Sequence, residues 1–352
     1  MTNDRLRIGV IGVGFGATVH VPGFLSEGWD VPVIWGRTAS RAREAAERLG
    51  VPEVAEDWRD LIARDDLDAV AVTTPPAAHL EIVTAALNAG KHVLCEKPFA
   101  LNADEAEQMR DLAQSTGRTA MVAHEFRFAP QRAQIKDFLD EGYIGTPLLV
   151  SAELLMGRPA GDPPPYAWGS RTAEGGGMLG ALGSHFIDGF RHWFGDVARA
   201  RGTLRTARPD RRDATSGQVV QADADDTFAF TLEFESGVAV NMTASSAVSP
   251  SQGGRITITG SDGVLLATQR GPNPEPDGVV LAGKSTDRTL EALPVDERYR
   301  PFDDDRDNRL MAFRLLVREF ERGIREGTSP APDFADALAT QRVLDAIRES
   351  AG

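Results

Sequence analysis

The sequence predicts an α/β protein of two domains: a doubly wound parallel sheet over residues 1–125, then an α/β domain with a large, mainly antiparallel sheet over 126–352. Three observations predict it. From Arg5 to about Ala120, short apolar runs alternate with amphipathic stretches, as in sheets whose strands are joined by helical crossovers. A glycine-rich turn stands between the first apolar run and the first helical one. After Phe128, β-branched runs follow one another at close spacing, which favours antiparallel pairing. The 352 residues exceed one ordinary core, since domains run to roughly 100–200 residues.

Strands of the first half are read at Leu6 to Ile11, Val31 to Trp35, Ala69 to Thr73, His92 to Leu94 and Ala120 to Ala123. Helical periodicity falls between them, at Ser40 to Leu49, Asp57 to Ala63, Ala78 to Ala89 and Ala103 to Ser115. In the second half a helix is expected at Pro130 to Glu141, a Pro/Gly-rich stretch at Gly157 to Gly177 and a helix at Leu182 to Phe194. Strands are expected at Leu148 to Leu155, Ala198 to Thr206, Thr227 to Phe234, Val238 to Ser245, Arg255 to Thr259 and Val264 to Thr268. Glu235-Ser-Gly and Ser261-Asp-Gly mark turns between them, while Ala207 to Asp226 and Gly271 to Gly278 read as loops. Two helices close the chain, Asp307 to Glu326 and Asp333 to Glu349. Asp333 is placed to cap the second, with Ala335, Leu338, Leu344 and Ile347 on its apolar side.

Composition narrows the function. A formal charge of −14, with no basic stripe carrying interleaved aromatics, argues against a nucleic-acid partner. No apolar run approaches the roughly 18 residues of a membrane span, and 41% hydrophobic with 26% charged residues is the balance of a soluble globular protein. Met1-Thr-Asn-Asp-Arg-Leu-Arg has no basic region followed by a long apolar one, which predicts a cytoplasmic protein. Cys95, the only cysteine, has no clustered ligands at metal spacing; it reads as a buried structural thiol, and no metal is expected.

The run from Ile8 to His20 supplies G-x-G-x-x-A through Gly12, Gly14 and Ala17, with Gly16 between. At such a turn bare backbone lets a pyrophosphate approach a helix N-terminus, whose free N–H groups and dipole favour anions, so a Rossmann-type dinucleotide site is predicted. About 20 residues on, an acid normally bonds the ribose 2′-OH of NAD. Here Gly36 stands in that place, followed by Arg37 and Thr38, with Ser40 and Arg41 close by. A guanidinium and a hydroxyl suit a 2′-phosphate, so NADP(H) is expected over NAD(H); the alternative is that Arg37 and Arg41 are solvated first-turn residues.

Two further stretches, Ala89-Gly-Lys-His-Val-Leu-Cys-Glu-Lys-Pro-Phe99 and Gly175-Gly-Gly-Met-Leu-Gly-Ala-Leu-Gly-Ser-His-Phe-Ile-Asp188, carry a more specific signal. With the turn, and with Thr74-Pro-Pro-Ala-Ala-His79 and Phe126-Arg-Phe-Ala-Pro130 between, the chain resembles the glucose-fructose oxidoreductase, inositol dehydrogenase and rhizopine-catabolism (Gfo/Idh/MocA) family over nearly its whole length. The resemblance implies a C-terminal domain on a large open sheet, used for substrate binding and for packing into a homodimer or homotetramer. It also implies hydride transfer between nicotinamide and a hydroxyl or keto carbon of a sugar, cyclitol or related small molecule. By position its catalytic residues are Lys97 and His185, and it implies a cis Lys97-Pro98 bond. An ammonium after a strand's carboxyl end can polarise an oxygen, and an imidazole can take the hydroxyl proton.

Phe15, Thr74, Pro75, His79 and Glu96 complete the expected cofactor contacts, and Arg127, Tyr166, Trp168 and Arg171 join Lys97 and His185 as expected substrate contacts. The remaining histidines, His20, His92, His124 and His192, rank behind these as chemical candidates. Asp188, one turn after His185, is placed to bond it or the nearby backbone. One departure matters: the family's acid four residues before the histidine is Ala181 here. That leaves two other readings open, a catalytically silent dinucleotide-binding regulator and a redox-cycling NAD-dependent glycosidase.

Overall fold

A computed structural model describes residues 5–157, 161 and 163–352. Met1 to Asp4, and Arg158 to Ala160 with Asp162 of the Pro/Gly-rich stretch, lie outside the described residues. The chain forms two compact units. The first ends its initial run at Glu125 and takes up Arg309–Gln341 again; the second is Phe126–Asn308 with Arg342–Gly352. The sequence expectation divided the chain into 1–125 and 126–352, without a return of residues 309–341 to the first unit.

In chain order the first unit has β1 (Arg7–Ile11), a wide helical turn Gly16–His20 running into α1 (Val21–Ser26), β2 (Asp30–Trp35), α2 (Ala39–Leu49), β3 (Glu53–Val54) and α3 (Trp58–Ile62). Then come β4 (Ala69–Val72), α4 (His79–Asn88), β5 (His92–Cys95), α5 (Ala103–Thr116) and β6 (Ala120–Val122). All pairings are parallel, in the order β3-β2-β1-β4-β5-β6, which is the doubly wound arrangement. Every residue of β4 is buried, as a parallel strand covered on both faces requires. Only β3 went unread, because two residues carry no periodicity. Cys95 is fully buried as expected, and burial pushes its thiol pKa up.

The second unit opens with α6 (Pro130–Asp140) and β7 (Pro147–Gly157), followed by a wide turn Leu179–Gly183 that enters α7 (Ser184–Phe194). Next are β8 (Val197–Arg205), β9 (Asp210–Arg212), β10 (Val219–Gln221), β11 (Thr227–Phe234) and β12 (Ala239–Val248). The series ends with β13 (Gly253–Gly260), β14 (Gly263–Gln269), β15 (Val280–Lys284) and β16 (Glu291–Leu293). Eight of these form one sheet, β16-β15-β14-β13-β7-β12-β11-β8, antiparallel except for the β7–β12 pair. Alternate residues such as Phe228, Phe230, Val240, Met242, Ile256 and Ile258 point to one face and share a core with Phe186, Ile187 and Phe190 of α7. The segment Ala207 to Asp226, read as a loop, contains the β9–β10 ribbon. β9 is polar throughout, β10 is only three residues long, and the turn between them is held by Asp213, whose Oδ1 accepts from the N–H of Thr215 and Ser216.

The two closing helices are α8 (Leu310–Glu326) and α9 (Phe334–Ala351). Within the first unit, Phe313 of α8 meets the Phe24 ring at 5.8 Å edge-on, Phe320 stacks on Trp29 at 5.9 Å, and Arg314 and Arg318 each reach Glu27 at 2.6 Å. Phe334 likewise meets Phe99 at 4.5 Å. These contacts explain why 309–341 belongs to the first unit. Leu338, Leu344 and Ile347 are buried as expected; Ala335 is exposed, because the inner side of that turn is taken by Phe334 and Ala337. Among the described residues no helix is long and apolar enough to cross a membrane.

Asp333 does cap α9: its Oδ1 accepts from the N–H of Ala335 at 2.8 Å and of Asp336 at 2.9 Å. Asp333→Ala is therefore expected to lower unfolding stability by about 1 kcal/mol, with Asp333→Asn retaining most of it. Urea titration of the three proteins checks this, and equal midpoints would contradict it.

Candidate cofactor and substrate sites

The glycine turn is shaped by Thr73, the residue after β4. Gly12 has φ +121°, and a Cβ there would lie 2.6 Å from the Thr73 carbonyl oxygen; one on Gly16 would lie 2.5 Å from Thr73 Oγ1. The Thr73 hydroxyl donates to the Gly12 and Ile11 carbonyls at 2.9 and 3.1 Å, locking the turn to the sheet. Gly14 is different. A Cβ on it would meet no atom within 4 Å, so nothing in the protein itself requires glycine there. Ala17 is buried behind the turn. A bare backbone facing open space at a helix start fits a pyrophosphate. The Thr74 hydroxyl, buried at the next strand end with no partner among the described residues, adds a polar atom to the same rim.

At the end of β2, a Cβ on Gly36 would lie 2.6 Å from a Val13 methyl group, so a side chain there would have to displace Val13. Arg37, Thr38, Ser40 and Arg41 are exposed at the start of α2, and the side chains of Arg37, Thr38 and Arg41 have no hydrogen-bond or ion-pair partner among the described residues.

Glu96, Lys97 and Pro98 follow β5, and the Lys97-Pro98 bond is cis. Glu96 is buried; its Oε1 lies 2.7 Å from Nε2 of the fully buried His20, and its Oε2 accepts the Lys97 N–H at 3.2 Å. A carboxylate only accepts, so His20 carries its proton on Nε2. Burial works to raise the Glu96 pKa, but the His20 bond and charge and the Lys97 ammonium outweigh it and hold the carboxyl low. The Lys97 ammonium lies 5.7 Å from the centre of the Phe15 ring and the Arg309 guanidinium 4.6 Å from it. The tip of the phosphate turn is thus flanked by two cations. Glu125, also buried, is pushed up to about 8, by burial first and then by the Glu96 charge.

His79 does not reach the cleft surface. It is fully buried, with Nε2 2.8 Å from the Thr74 carbonyl and Nδ1 3.0 Å from that of Phe99, so it shapes the Thr74-Pro75 loop from beneath. Burial pushes its pKa down against the pull of those carbonyls.

In the second unit His185 lies near the start of α7, buried, its ring stacked on Phe126 at 3.9 Å and within 8° of parallel. The Arg127 guanidinium, an expected substrate contact, forks onto Asp188, Nε to Oδ2 at 2.7 Å and Nη2 to Oδ1 at 2.6 Å. Asp188 therefore serves Arg127 as its counter-ion. Tyr166, Trp168 and Arg171 are half-buried on one loop, where Arg171 pairs with Glu174 at 2.7 Å and lies 5.5 Å from the Tyr166 ring centre. The loop is pinned to the segment holding β9 and β10, where the Tyr166 N–H donates to the Arg212 carbonyl at 2.8 Å and the Thr172 N–H to Asp223 Oδ1 at 2.9 Å. Ala181 leaves a methyl group where an acid would project, and its N–H donates to the Gly177 carbonyl at 3.0 Å.

Residues 6–124 match the oxidoreductase family described as an NAD-binding Rossmann fold, and residues 133–266 match the GFO/IDH/MocA C-terminal domain. The chain belongs to the Gfo/Idh/MocA oxidoreductase family. A levoglucosan dehydrogenase from Pseudarthrobacter phenanthrenivorans is 30% identical, the match covering 99% of this chain and 96% of that protein. D-xylose 1-dehydrogenase (NADP(+)) 2 of Haloferax volcanii is 27% identical over 98% of this chain and 97% of its own. The solved structure of a levoglucosan dehydrogenase in complex with NADH and L-sorbose superposes with a TM-score of 0.89 at 26% identity, over 99% of this chain and 97% of that one.

Two residues of this family member escaped the sequence reading as site residues. His20 ranked low because its partner, Glu96, is far away in sequence, and Glu125 opens a short helical turn after β6 without any motif. The Glu125 shift has a measurable consequence. With an ordinary carboxyl near 4.5 and a folded value near 8, its contribution to stability is full below about pH 4.5 and lost as pH rises through about 8. Glu125→Gln should gain stability relative to wild type as pH is raised from about 5 to about 9. Parallel pH profiles of the two urea midpoints would contradict this.

Proposed function

We propose that the protein is an NADP(H)-dependent dehydrogenase or reductase acting on a CH–OH or keto carbon of a sugar, cyclitol or related small molecule. The observation that carries this reading is the Lys97 segment, held by the buried His20–Glu96 pair with its ammonium beside Phe15 of the phosphate turn. Bound, the dinucleotide supplies the two-electron hydride acceptor or donor. The chain's own residues do the rest. Lys97 binds and polarises the substrate oxygen, and the imidazole of His185 takes the hydroxyl proton during oxidation and returns it during reduction. Stacking on Phe126 keeps that imidazole in one plane. With Arg127 paired to Asp188 and Arg171 to Glu174, neither is spare to neutralise substrate.

The preference for NADP(H) is supported by the crowded Gly36 and by the exposed Arg37, Thr38 and Arg41. Two sugar dehydrogenases among the relatives, one of them named for NADP(+), favour a carbohydrate substrate. The same reading has the enzyme act in the cytoplasm as a homodimer or homotetramer, with the open face of the eight-stranded sheet, where Leu149 is 43% exposed, as the packing surface.

Arg37→Ala is expected to weaken NADPH binding about 10- to 100-fold, the worth of a charge-assisted fork, and to leave NADH nearly unchanged. Calorimetric titration of both nucleotides decides it; an unchanged ratio would sink the NADP(H) assignment. Lys97→Ala and His185→Ala should each abolish reduced-cofactor absorbance changes across a panel of sugars, inositols and their keto forms while still binding NADPH. Tight NADPH binding by wild type with no turnover on any of them favours the silent regulator that Ala181 suggests. Glycoside hydrolysis without net cofactor change favours the redox-cycling glycosidase.

A further inference from the structure

Two buried carboxyls stand at neighbouring strand ends of the first unit. Glu96 follows β5, and Glu125, 2% exposed, opens the short helical turn after β6. The two strands run parallel with Cys95 opposite Val122, and the Ala123 N–H donates to the Cys95 carbonyl at 2.8 Å, which holds their exits side by side. Like charges out of water oppose each other, so of two such carboxyls one tends to keep its proton. The Glu96 charge is met by the His20 ring at 2.7 Å and by the Lys97 N–H at 3.2 Å. Glu125 is therefore the acid that stays neutral, in agreement with a pKa pushed up to about 8 by burial first and by Glu96 next.

Two cations act on Glu125 in the other direction. Lys97, beside Glu96, and Arg309, at the start of α8, both favour its ionised form. The same ammonium and guanidinium lie 5.7 and 4.6 Å from the centre of the Phe15 ring, at the tip of the phosphate turn. The remaining titratable groups near it are His20, whose bond is to Glu96, and the buried His124 that precedes Glu125 in the chain. An ionised Glu125 and a pyrophosphate lying against Gly14 thus draw on one pair of positive charges. Bound pyrophosphate strengthens the hold of Glu125 on its proton, and an ionised Glu125 weakens the hold on the nucleotide. Linkage makes these two effects the same quantity.

We propose that dinucleotide binding at the glycine turn is coupled to a proton on Glu125, which is neutral in the complex and whose ionisation weakens that complex. The inference rests on the dinucleotide reading of the turn and deepens it by adding a dependence on pH. Its sign follows from which form the nucleotide favours. Below about pH 7 Glu125 already holds its proton and binding takes up none; near pH 8 and above, binding draws a proton from solvent and affinity falls as pH rises.

Calorimetric titration of the full chain with NADPH, at a pH of about 8 in buffers of different ionisation enthalpy, counts the protons exchanged. Wild type is expected to take up as much as about half a proton per NADPH, and Glu125→Gln, which retains the shape without the titration, none. From about pH 7 to about pH 9 the wild-type affinity should fall about fivefold, while that of the variant stays level. A Glu125 that only supports the fold would leave both proton counts alike. Equal uptake by the two proteins, or binding by wild type without uptake, overturns the coupling alone. Wild type that binds no dinucleotide overturns the reading of the turn and the coupling with it. If Glu125→Gln does not fold, wild type still decides: ADP-ribose must bring proton uptake and adenosine, which has no pyrophosphate, must not. Any other result with that pair overturns the proposal.

Discussion

Everything the first unit offers a ligand depends on how closely its glycine turn approaches Thr73. The bare backbone of Gly12 and Gly16 lets the turn settle on that residue, and the Thr73 hydroxyl ties it to the last carbonyls of β1. A Cβ at either glycine would lie about 1 Å inside ordinary contact with Thr73. With the turn in place, the helix that follows starts where its free N–H groups face open space, and His20 falls one helical turn beyond it inside the core. A glycine required by packing and a glycine required only by a ligand thus sit two residues apart.

From His20 the constraint passes to the second motif. Its Nε2–H bonds a carboxylate that also holds the Lys97 amide, so the phosphate turn and the lysine segment share one buried pair. Breaking such a pair leaves an uncompensated charge in the core, which costs several kcal/mol. The lysine is thereby held in register with Phe15 by the fold's own electrostatics. In the second unit the same economy appears as Arg127 and Asp188, a closed pair, beside Arg132, which has only an amide and two rings. A carboxylate holds one arginine, and an amide with two rings holds the other.

Much of this was legible in the sequence because it is local. The parallel strands, the glycine turn, the Glu-Lys-Pro segment and the cap at Asp333 are written in short spacings, and each lies within a few residues of its expected place. What escaped is non-local or too short for a period. The ribbon β9–β10 and the strands β3 and β16 are two or three residues each, and β15, no shorter than β1, directly follows the Pro/Gly-rich stretch that reads as a loop. The return of α8 to the first unit is decided by Phe313 and Phe320 meeting Phe24 and Trp29, which a helical pattern cannot specify. Arg127 looked like a substrate ligand beside its motif; only the fold brings Asp188 to it. His20 and His79 exchanged importance for the same reason, one meeting Glu96 and the other two carbonyls beneath a loop.

The central claim is that the open space at Gly14 is where a dinucleotide's pyrophosphate lies against the backbone. Gly14→Val tests it most directly, because a side chain there meets no protein atom within 4 Å and the backbone is not left-handed. Calorimetric titration with NADPH, paired with a urea unfolding curve, is the measurement. The predicted result is an unfolding midpoint equal to wild type with NADPH affinity reduced at least tenfold. Wild-type affinity in a folded Gly14→Val protein would contradict it.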